Sequence, residues 1–187
     1  MRVARLLLAT AGILVVAAPA SAQIGFMGGW NYSMPSVKVN DQDVEISNKS
    51  GFNIGVFTDR GGLIGYMAGV FYSQKGFDSD TASVTLNYIE VPLMLRADIP
   101  FIRAYGGINV GFEIDCSTDQ GPAPGGEPFP CENNTETLDF GFKIGAGVKL
   151  LMFSLDVAYI WGATDIWKSE RGSLKNRVLQ VDLGIKL

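Results

Sequence analysis

The chain has 187 residues, of which 47% are apolar and only 18% charged, and 23 are glycine; soluble domains carry about 25% charged residues and about 7% glycine. Apolar surface is in excess, and the length fits one domain. Lys plus Arg is 15 and Asp plus Glu 19, a net charge of −4, so there is no basic footprint for DNA or RNA and nucleic acid is excluded as a partner. Histidine is absent, which removes Ser–His and Cys–His nucleophile pairs, the HExxH zinc arrangement and the most common general base.

Arg2 and Arg5 precede an uncharged, mostly apolar run from Leu6 to Ala18. Pro19 ends that run, and Ala20-Ser21-Ala22 has the small-x-small pattern read by signal peptidase. Residues 1–22 are expected to be a cleaved signal peptide and residues 23–187 the mature domain. The run is too short for the ~20 residues of a spanning helix. No cysteine follows the cleavage site, which argues against a lipid anchor.

From Gln23 onward, apolar residues recur at period two rather than at helical spacing, which predicts an all-β domain. Taken in chain order, strands are expected over Ile24–Ser33, Ser50–Thr58, Leu63–Gln74 and Ser83–Asp98, then through Ile102–Ile114, Thr137–Leu150, Phe153–Trp161 and Asn176–Leu187. The alternation is sharpest from Leu138, where Phe140, Phe142, Ile144, Ala146, Val148 and Leu150 interleave with Asp139, Gly141, Lys143, Gly145, Gly147 and Lys149. Connections alternate in length. Asp59–Gly62, Asp98–Phe101 and Leu150–Met152 read as tight turns, whereas Met34–Lys49, Lys75–Ala82, Asp115–Glu136 and Gly162–Lys175 read as long polar loops.

A soluble lipocalin-like barrel or a sandwich would also alternate, with its apolar face inward. Three features favour the opposite orientation, an eight-stranded antiparallel transmembrane β-barrel in an up-and-down meander. Short turns alternating with long loops match the two ends of outer-membrane barrels. Aromatics fall where two interfacial girdles belong: Trp30, Tyr32, Tyr72 and Trp161 near the long-loop ends, and Phe57, Phe101 and Phe153 near the short turns. Glycines at 107, 111, 141, 145 and 147 share the polar face, where a narrow lumen calls for small residues, and an alanine at Gly145 is expected to be milder than an arginine at Ile144 or Val181 on the apolar face.

On this reading the lumen holds Arg96, Arg103, Lys143, Lys149 and Lys186 together with Glu90, Glu113, Asp139, Asp156 and Asp182. Equal numbers of opposite charges in a confined space predict a network of ion pairs and hydrogen bonds. Eight strands leave an interior that side chains just fill, so structural filling is favoured over an ion path or a catalytic carboxylate pair. Glu90 and Arg96 are the pair to test first. Pro92, inside a strand, cannot donate to the ladder and is expected to mark an irregularity.

Cys116 and Cys131 are the only cysteines, both in the loop from Asp115 to Glu136, and in an exported protein they are expected to form a disulfide. That loop carries Asp115, Asp119, Glu127, Glu132 and Glu136 with no Lys or Arg. A solvated negative surface is the simplest reading; a divalent cation such as calcium, or a basic partner, is the functional alternative, although no EF-hand spacing is present.

The stretch Leu86-Asn87-Tyr88-Ile89-Glu90-Val91-Pro92-Leu93-Met94-Leu95-Arg96, with its Tyr88-x-Glu90-x-Pro92 pattern, resembles the signature strand of the PorT-type outer-membrane β-barrel family of Gram-negative bacteria. The ending from Asn176 resembles that family's last strand, although outer-membrane barrels usually end in an aromatic where this chain has Leu187. The resemblance implies an integral outer-membrane protein, loosely porin-like, and fixes no substrate. Its surroundings would be outer-membrane lipid, lipopolysaccharide and the barrel-assembly machinery. A non-enzymatic monomer with no cofactor and no metal is expected. A small channel and a lipid-modifying enzyme are the competing functions; the lack of histidine weighs against the enzyme.

Overall fold

A computed structural model describes residues 23–39, 42–44, 47–78, 82–120, 137–165 and 172–187. Residues 1–22, expected to be the signal peptide, lie outside them. Among the described residues eleven strands follow in order: β1 (Gln23–Ser33), β2 (Ser36–Val39), β3 (Gln42–Val44), β4 (Ser47–Gly61), β5 (Ile64–Asp78), β6 (Ala82–Ile99), β7 (Ile102–Gln120), β8 (Leu138–Leu150), β9 (Phe153–Gly162), β10 (Gly172–Lys175) and β11 (Arg177–Lys186).

Eight of them close a barrel in the order β1-β11-β9-β8-β7-β6-β5-β4, each antiparallel to its neighbours. The expected meander is therefore present, and closure leaves no unpaired edge in the barrel wall. The other three strands were not legible in the sequence. They form a separate sheet, β10-β2-β3, built from the β1–β4 and β9–β11 connections.

The burial pattern is inside-out relative to a soluble barrel. Leu95, Ile144, Val148, Leu155, Val181 and Leu183 are exposed, whereas Asn31, Lys75, Glu90, Arg103, Asp156 and Asp182 are buried. A continuous exposed belt of this kind has no favourable counterpart in water, because apolar burial is the main force for folding there. In lipid it is the expected outer surface. The girdle residues Trp30, Tyr32 and Trp161 are exposed at the long-loop end, where Phe52 stacks on Tyr72 at 5.5 Å and Phe142 on Trp161 at 6.1 Å between ring centroids. Phe101 and Phe153 are exposed at the other end. Phe57 is not a girdle residue. It is 2% exposed and points into the lumen, because it shares the odd-numbered face of β4 with the buried Asn53 and Asp59.

The barrel wall is uneven. β6 and β7 have 18 and 19 residues against 10 each for β9 and β11, or roughly 60 Å against roughly 33 Å of extended chain. Nine to eleven tilted residues cross the hydrocarbon, so the surplus of β5–β7 rises beyond it on the long-loop side. This corrects the loop boundaries: most of 75–82 and the start of 115–136 are strand, with Leu86 opposite Cys116 and Gly76 opposite Thr85. Backbone pairing extends as far as a partner strand is available, which a fading apolar alternation conceals.

At the short-turn end, Leu150 pairs with Phe153, leaving Leu151 and Met152 as a two-residue hairpin turn. Leu151 takes a φ of 56°, the left-handed conformation that such a turn imposes even on a residue that disfavours it. Pro92 causes a lesser irregularity than a bulge. β5 and β6 pair from Ile64↔Ala97 to Ala68↔Leu93 and again from Phe71↔Glu90 in unchanged register, and only the positions beside Pro92 and Val91 lack a partner.

Candidate functional site

Alternation sends one face of every strand into the lumen, and the register decides which residues meet there. At the short-turn end Arg103 lies opposite Gly147, and Gly147 lies opposite Asp156. The arginine reaches across the glycine, whose place a Cβ could not share with the Asp156 carboxylate. Arg103 Nε donates to Asp156 Oδ1 at 2.5 Å, and its Nη2 pairs with Oδ2 and donates to Ser154 Oγ at 3.0 Å. Both charged side chains are fully buried. This is the two-pronged geometry that makes an arginine–carboxylate pair strong. Beside it, Arg96 pairs with Asp59 at 2.6 Å and with Asp98, Lys149 pairs with Asp98 at 2.9 Å, and Lys186 pairs with Asp59.

Next along the lumen comes an apolar layer of Met27, Phe57, Met67, Phe71, Met94, Tyr105 and Ala158. Glycines make room for its rings: a Cβ at Gly145 would lie 2.5 Å from the Tyr105 ring, and one at Gly69 would lie 2.6 Å from Phe71. An alanine at Gly145 would therefore meet the Tyr105 ring, a contact that its small size and polar face do not reveal.

Beyond this layer lies a second polar network, centred on Lys75. Its ammonium pairs with Glu90 at 2.6 Å and Asp139 at 3.3 Å and sits 4.8 Å from the centre of the Tyr88 ring. Two residues of the Tyr88-x-Glu90-x-Pro92 pattern thus hold one buried cation, because positions two apart on a strand face the same way. Amides complete the network. Asn109 donates to Glu90 at 3.0 Å and Asn176 to Asp139 at 2.6 Å, while Gln180 accepts from Lys143 at 2.5 Å and donates to Asn31 at 2.7 Å. Asn53 bridges Asn31 and Asp182, at 3.0 and 2.8 Å. Above it, Leu174 of β10 packs with Val84, Leu86 and Tyr88, with Phe77 and Cys116 against the cluster. Part of the small sheet's chain therefore covers the long-loop mouth.

Of the charges expected in the lumen, Glu90, Arg96, Arg103, Asp139, Lys143, Asp156 and Asp182 are buried, and Lys149 and Lys186 stand at the short-turn mouth. Glu113 is half-buried beside the register shift at Asn87/Tyr88. Glu90 and Arg96 are not a pair: six residues apart on one strand, roughly 20 Å at strand rise, they belong to the two different charge layers. Sequence reasoning missed Asp59, Lys75 and Asp98, which stand within two residues of Gly61, Gly76 and Pro100 and so look like turn residues. The signal was their parity: Lys75 continues the series Ser73, Phe71, and Asp59 the series Phe57, Asn53. Cys116 lies in β7 rather than in a loop. Cys131 and the acidic residues Glu127, Glu132 and Glu136 lie outside the described residues. No group of His, Cys, Asp or Glu able to hold a metal occurs among the described residues.

An inside-out barrel with an ion-paired interior invites comparison with membrane barrels, and the sequence profile of the outer membrane protein beta-barrel domain matches residues 6–186. The chain belongs to this family. Its fold is shared by solved structures of low identity. Neisserial surface protein A (NspA) superposes with a TM-score of 0.57 at 14% identity, over 89% of this chain and 99% of that one. Ail, the attachment invasion locus protein of Yersinia pestis, solved in complex with the heparin analogue sucrose octasulfate, gives 0.52 at 17% identity over 89% and 99%. No curated protein sequence matches the chain. The family places this outer-membrane barrel in the outer membrane.

Proposed function

We propose that the chain is a non-enzymatic outer-membrane barrel whose lumen is a closed structural core and whose long-loop end is a binding surface. The observation that supports this is the packing of the lumen: two charged layers with an apolar layer between them, and a Leu174-centred cluster beyond, occupy the interior past the cavity at the short-turn mouth. Short turns face the periplasm in this architecture, which puts β2, β3, β10 and the raised ends of β5–β7 outside the cell. Residues 1–22 are a cleaved leader on this reading, residues 23–187 the inserted monomer, and Cys116 and Cys131 a disulfide that ties the acidic loop to the β6–β7 wall. The PorT-type assignment within the barrel family rests on Tyr88, Glu90 and Pro92.

Ail was solved with a heparin analogue; the loop at 115–136 in this chain carries acids and no bases, so polyanion binding is not carried over, and a basic partner or a divalent cation suits it better. Single-channel recording in planar bilayers tests the closed lumen: the expected result is an unchanged baseline, and discrete conductance steps would establish the channel instead. Surface proteolysis of intact cells should cut within 121–136 and spare the short turns. Release or transfer of an acyl chain from lipopolysaccharide or phospholipid by the folded protein would replace this reading with an enzymatic one.

A further inference from the structure

The short-turn end of the lumen opens into a cavity of about 400 Å³. Arg103, Lys149 and Lys186 line it with the Ser154 hydroxyl, Gln23 and the last residue, Leu187, also border it, and no Asp or Glu side chain does. The carboxylates that balance these cations, Asp156, Asp98 and Asp59, stand behind them. Each lysine ammonium has three donors and a guanidinium five, more than these pairings consume. One surplus donor is explicit: Arg103 Nη1 is buried and has no hydrogen-bond partner. Ser154 Oγ accepts from Arg103 Nη2, which leaves its own O–H to donate. The rim is apolar, with Phe101 and Phe153 exposed, as befits residues at headgroup depth.

A cavity whose charged lining side chains are a guanidinium and two ammonium groups, with a hydroxyl beside them, suits an oxyanion, since charge-assisted hydrogen bonds from cationic donors are the strong ones. We propose that this mouth binds a phosphate group. Arginine and lysine together suit its geometry and charge. The volume exceeds what a bare phosphate needs and lies in the range of ligand pockets, about 300–1,000 Å³, so there is room for a group attached to the phosphate. The phosphate is either that of a phospholipid headgroup at the adjacent leaflet or a free phosphate reaching the mouth. Which leaflet is adjacent rests on the orientation proposed above; the site itself does not.

The test is calorimetric titration of the folded protein in octyl glucoside, a phosphate-free detergent, at constant ionic strength. One arm adds inorganic phosphate and the other dihexanoyl phosphatidylglycerol below its micellar concentration. One-site saturable binding is expected in at least one arm. Similar binding in both identifies a free phosphate as sufficient, and binding only of the lipid identifies the headgroup. Lys149→Gln and Lys186→Gln should each weaken binding about tenfold, the loss of one charge-assisted contact, and Lys49→Gln, at the opposite end, should not. Folded wild-type protein that binds neither probe overturns the proposal, as does binding that both mouth variants leave unchanged or that Lys49→Gln weakens equally. Because the titration is done in detergent, its failure is distinct from a reversed orientation, which surface proteolysis reports.

Discussion

The lumen contains two charged layers that solve the same problem differently. Near the short turns, Arg96 and Arg103 meet Asp59, Asp98 and Asp156 directly, charge against charge, beside a mouth that admits solvent. Past the Met–Phe–Tyr layer, Lys75 and Lys143 share their environment with Asn31, Asn53, Asn109, Asn176 and Gln180, and amides take up the remaining donors and acceptors of Glu90, Asp139 and Asp182. Pairing in a low-dielectric interior repays desolvation only when the remaining hydrogen-bonding positions are filled. The arginine layer relies on the fork of a guanidinium and leaves Arg96 Nε, Arg103 Nη1 and Asp98 Oδ1 without a hydrogen-bond partner, whereas the lysine layer fills its positions with carboxamides because an ammonium cannot span two carboxylates and their spare oxygens by itself.

If that contrast is right, Arg103→Met should produce the largest loss of stability. It strands Asp156 fully buried with Asp182 as its direct cross-strand neighbour, at about 3–5 kcal/mol. Urea unfolding in lipid vesicles measures it. Adding Asp156→Leu should return most of the loss, and a double mutant no more stable than the single would break the pairing account.

Lys75→Met sharpens the comparison, since Asn109 and Asn176 remain to hold Glu90 and Asp139. Its cost should fall at the low end, about 3 kcal/mol, and below that of Arg103→Met in the same assay. The reverse order would mean that the amides contribute little.

A charge on the other face of the same strands should behave in the opposite way to those inside. Ile144→Arg and Val181→Arg place a cation on the exposed apolar belt and should cost about 2–4 kcal/mol near the bilayer midplane, read as lost insertion into vesicles. Normal insertion with both arginines would reverse the assignment of inside and outside.

The smallest expected effect probes the layer that separates the two charged ones. Gly145→Ala drives a Cβ against the Tyr105 ring and should cost about 1–3 kcal/mol as overpacking. Tyr105→Leu in the same chain should relieve it, whereas strict additivity of the two changes would show that the ring is not what the methyl meets.

Much of this molecule was legible before any coordinates. The period-two alternation assigned each side chain from Leu138 to Leu150 to its face, and the alternation of short and long connections led to an eight-stranded meander, because both are local properties of the chain. The parity reading marked Glu90, Arg96, Arg103, Asp139, Lys143, Asp156 and Asp182, which are buried, and passed over Asp59 and Lys75, which are buried too. What it could not tell was who meets whom. Glu90 and Arg96 share a strand face yet sit in different layers, and Lys75, read as the start of a loop, is the cation that Glu90 holds. Likewise the packing of Phe57 inside the lumen, the room Gly145 makes for Tyr105 and the cover supplied by Leu174 all depend on residues distant in the chain. A strand's pattern specifies its two faces from its own residues; partners across the lumen follow from closure and register, which only the assembled barrel decides.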